Sequence, residues 1–333
     1  MKDTYVYQKE RARFVKPSMS YNGGDFAAWQ SVARNKLRDL LGMEKYVSPN
    51  TPATIEYDVQ QDGFREIRFL MEAEKGYFVP CHLWLPDGIE HPPVIICLQG
   101  HSPGMHISMA RLKAPKEARL IEDGDRDFCV RAVKEGFAAV ALEQRNFGEL
   151  QGEGKCLDSS LTAILCGRTT IGERVHDISV CIDTLQNQFA HLVDADKICC
   201  MGNSGGGTAT AYAAALEDRI KLAAPSCAMC TYLDSIIDLE HCSCNYVPRV
   251  AEFFEMSDLL AMSAPKAFIQ ISGQEDPIFP IDGAKSVYEK GAEAYKQIGL
   301  ADRCALVIGN GGHRFYADDT WPLIHKMLDS KKD

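Results

Sequence analysis

The sequence predicts an α/β fold: a mostly parallel sheet with helices on both faces. Three observations carry that expectation. The runs 94–98 and 137–142 are apolar throughout, the signature of strands covered on both sides. From residue 93 onward, such runs alternate with stretches of helical period. The segment Gly202-Asn203-Ser204-Gly205-Gly206 stands between an apolar run (198–201) and an Ala-rich stretch (208–217), so a sharp turn joins a strand to a helix there.

In chain order, 25–41 carries apolar residues at helical spacing (Phe26, Trp29, Val32, Leu37, Leu40, Leu41), with Gly42 placed to end the helix. Residues 1–50 read as a helical extension ahead of the sheet. Residues 55–71, broken at Asp62-Gly63, and 77–85 read as antiparallel strands at a sheet edge. Then come the strand 93–98, a short helix 128–135 and the strand 137–142. Residues 150–170 are poorly periodic and read as a loop insertion. Residues 171–189 form an amphipathic helix whose stripe is Ile171, Val175, Ile178, Ile182, Leu185 and Phe189. After the strand at 198–201 and its helix come a strand at 220–225 and an insertion, 226–256, read as a lid or pocket wall. The alternation resumes with a strand at 267–271, a helix at 282–298, a strand at 304–308 and a final helix at 317–328. No repeat or linker interrupts this, so residues 1–333 are expected to form one domain.

Composition narrows the function classes. Of 333 residues, 46% are apolar and 25% charged, an ordinary soluble balance, and the formal charge of −10 disfavours nucleic acid and anionic membranes as partners. No apolar run reaches membrane-span length, and the first ten residues lack an apolar signal core, so a cytoplasmic location is expected. A homo-oligomer is compatible with all of this. Thirteen cysteines cannot all pair within one chain; most are expected to be free thiols packed as small hydrophobes.

The chemistry is concentrated in three loops. Gly202-x-Ser204-x-Gly206 has the pattern of a nucleophile elbow, which lifts a serine hydroxyl above the sheet. A serine needs a base, and the base needs a carboxylate to orient it. The loop after 267–271 offers Glu275 and Asp276, with Asp276 favoured. The loop after 304–308 offers His313, preceded by Gly311-Gly312. The order Ser204, Asp276, His313 is that of α/β-hydrolases. His101 and His106 are rival bases, but they lie in the loop expected to hold an oxyanion. There the amide of Gly205 and one from Gly100 or His101, with His101 preferred, are the donors. Gln99, Tyr232 and Phe254 are candidates for substrate contact. Arg145 is expected to pair with a carboxylate such as Asp177. Cys227, Cys230, His241, Cys242 and Cys244 have spacings that raise the question of zinc; the mechanism needs no metal, and neither a metal nor another cofactor is expected.

With these residues in place, the chain resembles the α/β-hydrolases. Within that superfamily it is similar to bacterial acetyl xylan esterase and cephalosporin-C deacetylase-type enzymes and to dienelactone-hydrolase-like esterases. The similarity rests on Leu98-Gln99-Gly100-His101, Gly202-Asn203-Ser204-Gly205-Gly206, Asp276-Pro277-Ile278-Phe279-Pro280 and Gly312-His313, and spans about residue 50 to the end. It implies acyl transfer to water. Separately, the insertion 226–256 and the loop after Gln99, if folded over Ser204, would wall a compact pocket suited to a short acyl group and a small or carbohydrate-type alcohol. The rival readings are a serine peptidase of prolyl-oligopeptidase type and a non-catalytic binding protein on the same scaffold.

Overall fold

The computed structural model describes residues 3–101 and 103–329. Among these residues nine strands form one sheet: β1 Thr54–Gln60, β2 Phe64–Glu74, β3 Tyr77–Pro86, β4 Pro93–Leu98, β5 Ala138–Leu142, β6 Asp194–Asn203, β7 Ile220–Ser226, β8 Ala267–Gly273 and β9 Cys304–Gly309. Their spatial order is β1-β2-β3-β5-β4-β6-β7-β8-β9. β1, β2, β3 and β5 are joined by antiparallel pairings. From β5 through β4 to β9 every pairing is parallel. The carboxyl ends of these strands therefore share one edge, and loops leaving them meet there.

Strand alternation sorts the central side chains onto two faces. Val94, Ile96 and Leu98 of β4, with Ile198 and Cys200 of β6, join a core that includes Ile171, Val175 and Ile178 of the Thr170–Gln188 helix. Ile95 and Cys97, with Cys199 and Met201, face the opposite core, built against Phe128 and Cys129 of the Phe128–Lys134 helix and Trp321 and Ile324 of the Ala317–Asp329 helix. Both faces are covered, which is why these strands read as unbroken apolar runs. Truncating a side chain such as the fully buried Ile96 to alanine costs about 2–5 kcal/mol. The strand cysteines serve as small hydrophobes, as expected.

Helix ends follow local chemistry. The Phe26–Leu41 helix opens on Asp25, whose carboxylate accepts the Ala28 amide at 3.0 Å, and closes on Gly42 at φ 71°.

One expectation needs correction. The segment 150–170 is not an unstructured insertion: it contains a helix, Cys156–Leu165. Its Leu157, Leu161 and Leu165 recur every four residues but point outward, with exposures of 51%, 55% and 88%, so no inward stripe marked it. A further helix, Thr4–Ala12, buries no residue and left no pattern to read. The insertion 226–256 is compact, with one π-turn at Leu233–Ile237, a 3-10 turn at Ser243–Asn245 and a short helix at Val250–Phe253.

Candidate active site

At the carboxyl end of β6 the chain turns sharply. Ser204 has φ 56° and ψ −123°, a region few L-residues occupy. The turn is held from both sides: the Ser204 amide donates to Ser226 O at 2.8 Å, and the Thr208 amide donates to Ser204 O at 2.8 Å. Ser204 is half-buried, while every neighbour from Ile198 to Leu216 is buried. Close packing makes this possible. A Cβ at Gly206 would sit 2.2 Å from Leu98 O, so β4 and the first turn of the Gly205–Leu216 helix touch backbone to backbone. A Cβ at Gly100 would meet Asn203 O and the Ser204 Cβ at 2.7 Å and lie 3.4 Å from the Gly205 nitrogen. The loop after β4 is therefore laid directly on the elbow. The Gly205 amide, in the first turn of its helix, has no intrahelical acceptor.

Asp276 and His313 come from loops on the same edge, after β8 and β9. His313 Nδ1 lies 2.8 Å from Asp276 Oδ2. Asp276 Oδ1 accepts the amides of Ile278 at 2.9 Å and Phe279 at 3.1 Å. Burial alone would raise this carboxyl's pKa. The His313 hydrogen bond and charge, joined by the Ile278 amide, outweigh it and hold the pKa below the usual carboxylate range. Glu275 is exposed; it is Asp276 that faces the ring. The imidazole lies parallel to the Phe279 ring, 5.9 Å between centroids. His313 makes no hydrogen bond to Ser204 among the described residues.

Other expected residues go elsewhere. Tyr232 and Phe254, candidates for substrate contact, are turned into the core instead: Phe254 is fully buried, and the Tyr232 hydroxyl pairs with that of Tyr212 at 2.7 Å. Gln99 is also a packing residue, 2% exposed, its amide bonded to Ser108 Oγ and Arg126 O. His106 is buried against Glu117 at 3.2 Å. Arg145 makes the expected pair, with two hydrogen bonds to Asp177 at 2.8 and 2.7 Å and a third contact to Glu74 at 2.8 Å.

A cleft of about 540 Å³, lined by His101, Pro103, Leu120, Phe147, Gln151 and Cys156 among others, reaches the elbow through His101; neither Ser204 nor His313 is among its lining residues. Its walls come from the loops after β4 and β5, not from 226–256. Phe147 and Gln151 were not singled out in the sequence, because nothing local marks a wall. Another cleft, about 640 Å³, lies elsewhere, against Tyr21, Asp258 and Glu293, and holds none of the groups described above. Glu143 ties the two wall-forming loops together: its carboxylate accepts the Met105 and Glu149 amides, each at 3.1 Å, and burial pushes its pKa up to about 7.

The five residues whose spacing raised the question of zinc do not come together. The Cys227 sulfur contacts Arg314 O at 3.2 Å, Cys230 contacts Pro280 O at 3.6 Å, and His241 binds Ser235 Oγ. The Cys227 thiol is pushed up to about 12, first by burial and then by the Asp276 charge, and so stays protonated. Cys242 and Cys244 instead meet His101 and Cys156, whose ligand atoms all lie within 4.8 Å of one another.

Known proteins share this architecture. Residues 167–307, less than half the chain, match the prolyl oligopeptidase family; the match holds Ser204 and Asp276 and stops before His313. A Bacillus subtilis (strain 168) protein named "Putative hydrolase YtaP" is 24% identical over 287 residues, covering 84% of this chain and 92% of its own. Among solved structures, a "putative acetyl xylan esterase" from Bacteroides fragilis superposes with a TM-score of 0.77 at 17% identity, covering 100% of this chain and 86% of that one. A glucuronoyl esterase from Solibacter usitatus gives 0.68 at 14%, covering 95% and 97%. At such identities the likeness is one of fold. The parallel sheet, the strained turn after β6 and these comparisons together make this a chain of the α/β-hydrolase fold.

Proposed function

We propose that the chain is a serine carboxylic-ester hydrolase that removes short, acetyl-like acyl groups from a small or carbohydrate-type ester. The observation that carries this reading is the pairing of His313 with the buried Asp276, on the strand edge where Ser204 sits on its strained turn. Asp276 fixes the tautomer that leaves His313 Nε2 free to accept a proton. His313 takes the Ser204 proton as Oγ attacks the ester carbonyl. Catalytic hydrogen bonds of this kind tighten as substrate binds. The amides of Gly205 and His101 receive the oxyanion; loss of one such donor costs about 2.7–4 kcal/mol of barrier. His313 then returns the proton to the leaving alkoxide, and water, activated by the same imidazole, releases the acid from the acyl-enzyme. The esterases among the structural neighbours support the reaction class, and the cleft walled by Phe147 suits a compact alcohol with an apolar face.

A second reading, a serine peptidase, is favoured by the match at 167–307. One experiment separates the readings. The purified protein is labelled with a fluorophosphonate and assayed on nitrophenyl acetate and on an aminoacyl anilide. Labelling lost in Ser204→Ala, with ester turnover far above anilide turnover, is the expected result. Faster anilide cleavage makes it a peptidase, and no labelling with no turnover makes it a binding protein on this scaffold.

A further inference from the structure

Four ligating atoms from three separate parts of the chain meet beside the elbow. His101 belongs to the loop after β4. Cys156 is the first residue of its helix, and Cys242 and Cys244 bracket the start of the Ser243–Asn245 turn. The Sγ atoms of the three cysteines and a ring nitrogen of His101 lie within 4.8 Å of one another. His101 Nε2 and Cys244 Sγ are 3.2 Å apart, though 143 residues separate them in sequence. A tetrahedral zinc site, with Zn–S of about 2.3 Å and Zn–N of about 2.0–2.1 Å, sets its ligand atoms about 3.5–3.8 Å apart. The cluster needs only small side-chain adjustments to reach that spacing.

An independent observation concerns charge. Arg174 is 1% exposed, and among the described residues no carboxylate pairs with it. Its guanidinium donates to Arg145 O at 3.0 Å, lies over the Phe147 ring at 4.3 Å and points Nη1 at Cys244 Sγ, 3.6 Å away. A buried cation needs an anion. Three thiolates around a divalent zinc carry a net charge of −1, which Arg174 balances. A guanidinium hydrogen-bonded to a ligating sulfur is also the outer-shell contact expected around such a centre.

We propose that His101 Nε2, Cys156, Cys242 and Cys244 form a zinc site. Three thiolates and one imidazole in a tetrahedron select zinc over the harder divalent cations. As each thiol binds, it gives up its proton, so loading releases up to three protons per ion. With four protein ligands the site is closed, and its role is structural. It clasps the loop after β4 to the 226–256 insertion and to the start of the Cys156–Leu165 helix. The other edge of the His101 ring lies against the elbow: Nδ1 is 3.2 Å from where a Cβ on Gly205 would stand. The metal therefore fixes the ring that packs on the serine turn. The assignment does not rest on the ester-hydrolase reading and stands or falls by metal content.

The test is elemental analysis of the full chain, purified under reducing conditions from zinc-supplemented cells. One zinc per chain is expected. Stripping with a chelator and adding cobalt(II) should give the near-ultraviolet thiolate-to-metal charge-transfer band and the visible bands of a tetrahedral ion. Cys156→Ser, at a partly exposed helix start, and Cys242→Ser should lose the metal and the cobalt spectrum while keeping wild-type far-ultraviolet circular dichroism. Cys227→Ser and Cys166→Ser should retain both. If a substitution unfolds the chain, cobalt titration of stripped wild type decides the matter by itself. Three results overturn the proposal: native protein without zinc that takes up none when it is added, variants that hold as much zinc as wild type, or a thiol count and mass showing that two of the three cysteines form a disulfide.

Discussion

His313 Nδ1 lies 2.8 Å from Oδ2 of an Asp276 whose side chain is wholly shielded from solvent. The other carboxylate oxygen is held by two backbone amides, so the acid cannot rotate away from the ring. This anchoring makes the pair a device for fixing one imidazole tautomer.

Asp276→Asn should therefore lower kcat on nitrophenyl acetate by about 10⁴-fold while leaving the fold intact, because an amide at that position favours the wrong tautomer. Glu275→Gln, on the exposed neighbour, should change kcat less than about 3-fold. Steady-state kinetics on both variants checks this. Equal losses would show that the acid is misassigned.

Acyl length should matter in one direction. The cleft is bounded by Phe147 and by the loops that Glu143 ties together, a compact space that suits a short acyl group. Across nitrophenyl esters from acetyl to decanoyl, kcat/KM should fall beyond propionyl. A rise toward octanoyl would rule out the short-acyl reading.

Breaking the Arg145–Asp177 pair should cost stability rather than chemistry. Asp177 is fully buried and meets Arg145 with two hydrogen bonds. Asp177→Asn leaves the guanidinium with only Glu74 and the more distant Glu173. A loss of about 3 kcal/mol in urea unfolding is expected. An unchanged midpoint would show that the remaining carboxylates suffice.

Glu143 should make stability depend on pH. Burial raises its folded pKa to about 7, above its ordinary value of 4.5, so between those values the folded chain binds more protons than the unfolded one. The stabilisation is complete below about pH 4.5 and is lost as pH rises through about 7. It amounts to on the order of 3 kcal/mol. The stability of wild type minus that of Glu143→Gln should fall by that order between pH 4.5 and 8, measured by denaturation at each pH. A difference that does not change with pH would show that the carboxyl ionises as it does in water.

Much of this molecule was legible in the chain itself. The strands, the helices that cover them and the order of Ser204, Asp276 and His313 follow from apolar period and turn chemistry, which are local properties. Gly202-x-Ser204-x-Gly206 announces its turn because only glycine allows β4 and the helix after Ser204 to touch. The helix at Cys156–Leu165 was hidden because its leucines face outward. What tertiary structure alone decided is which distant residues meet. Tyr232 and Phe254 turned into the core because their part of the insertion packs there, the Tyr232 hydroxyl meeting that of Tyr212 on the 205–216 helix. Phe147 and Gln151 became cleft walls because β5 ends beside β4. Cys242 and Cys244 left Cys227 and Cys230 for His101 and Cys156. No spacing rule reaches that last grouping: its members lie on three segments brought together only when the parallel strands set their loops on one edge.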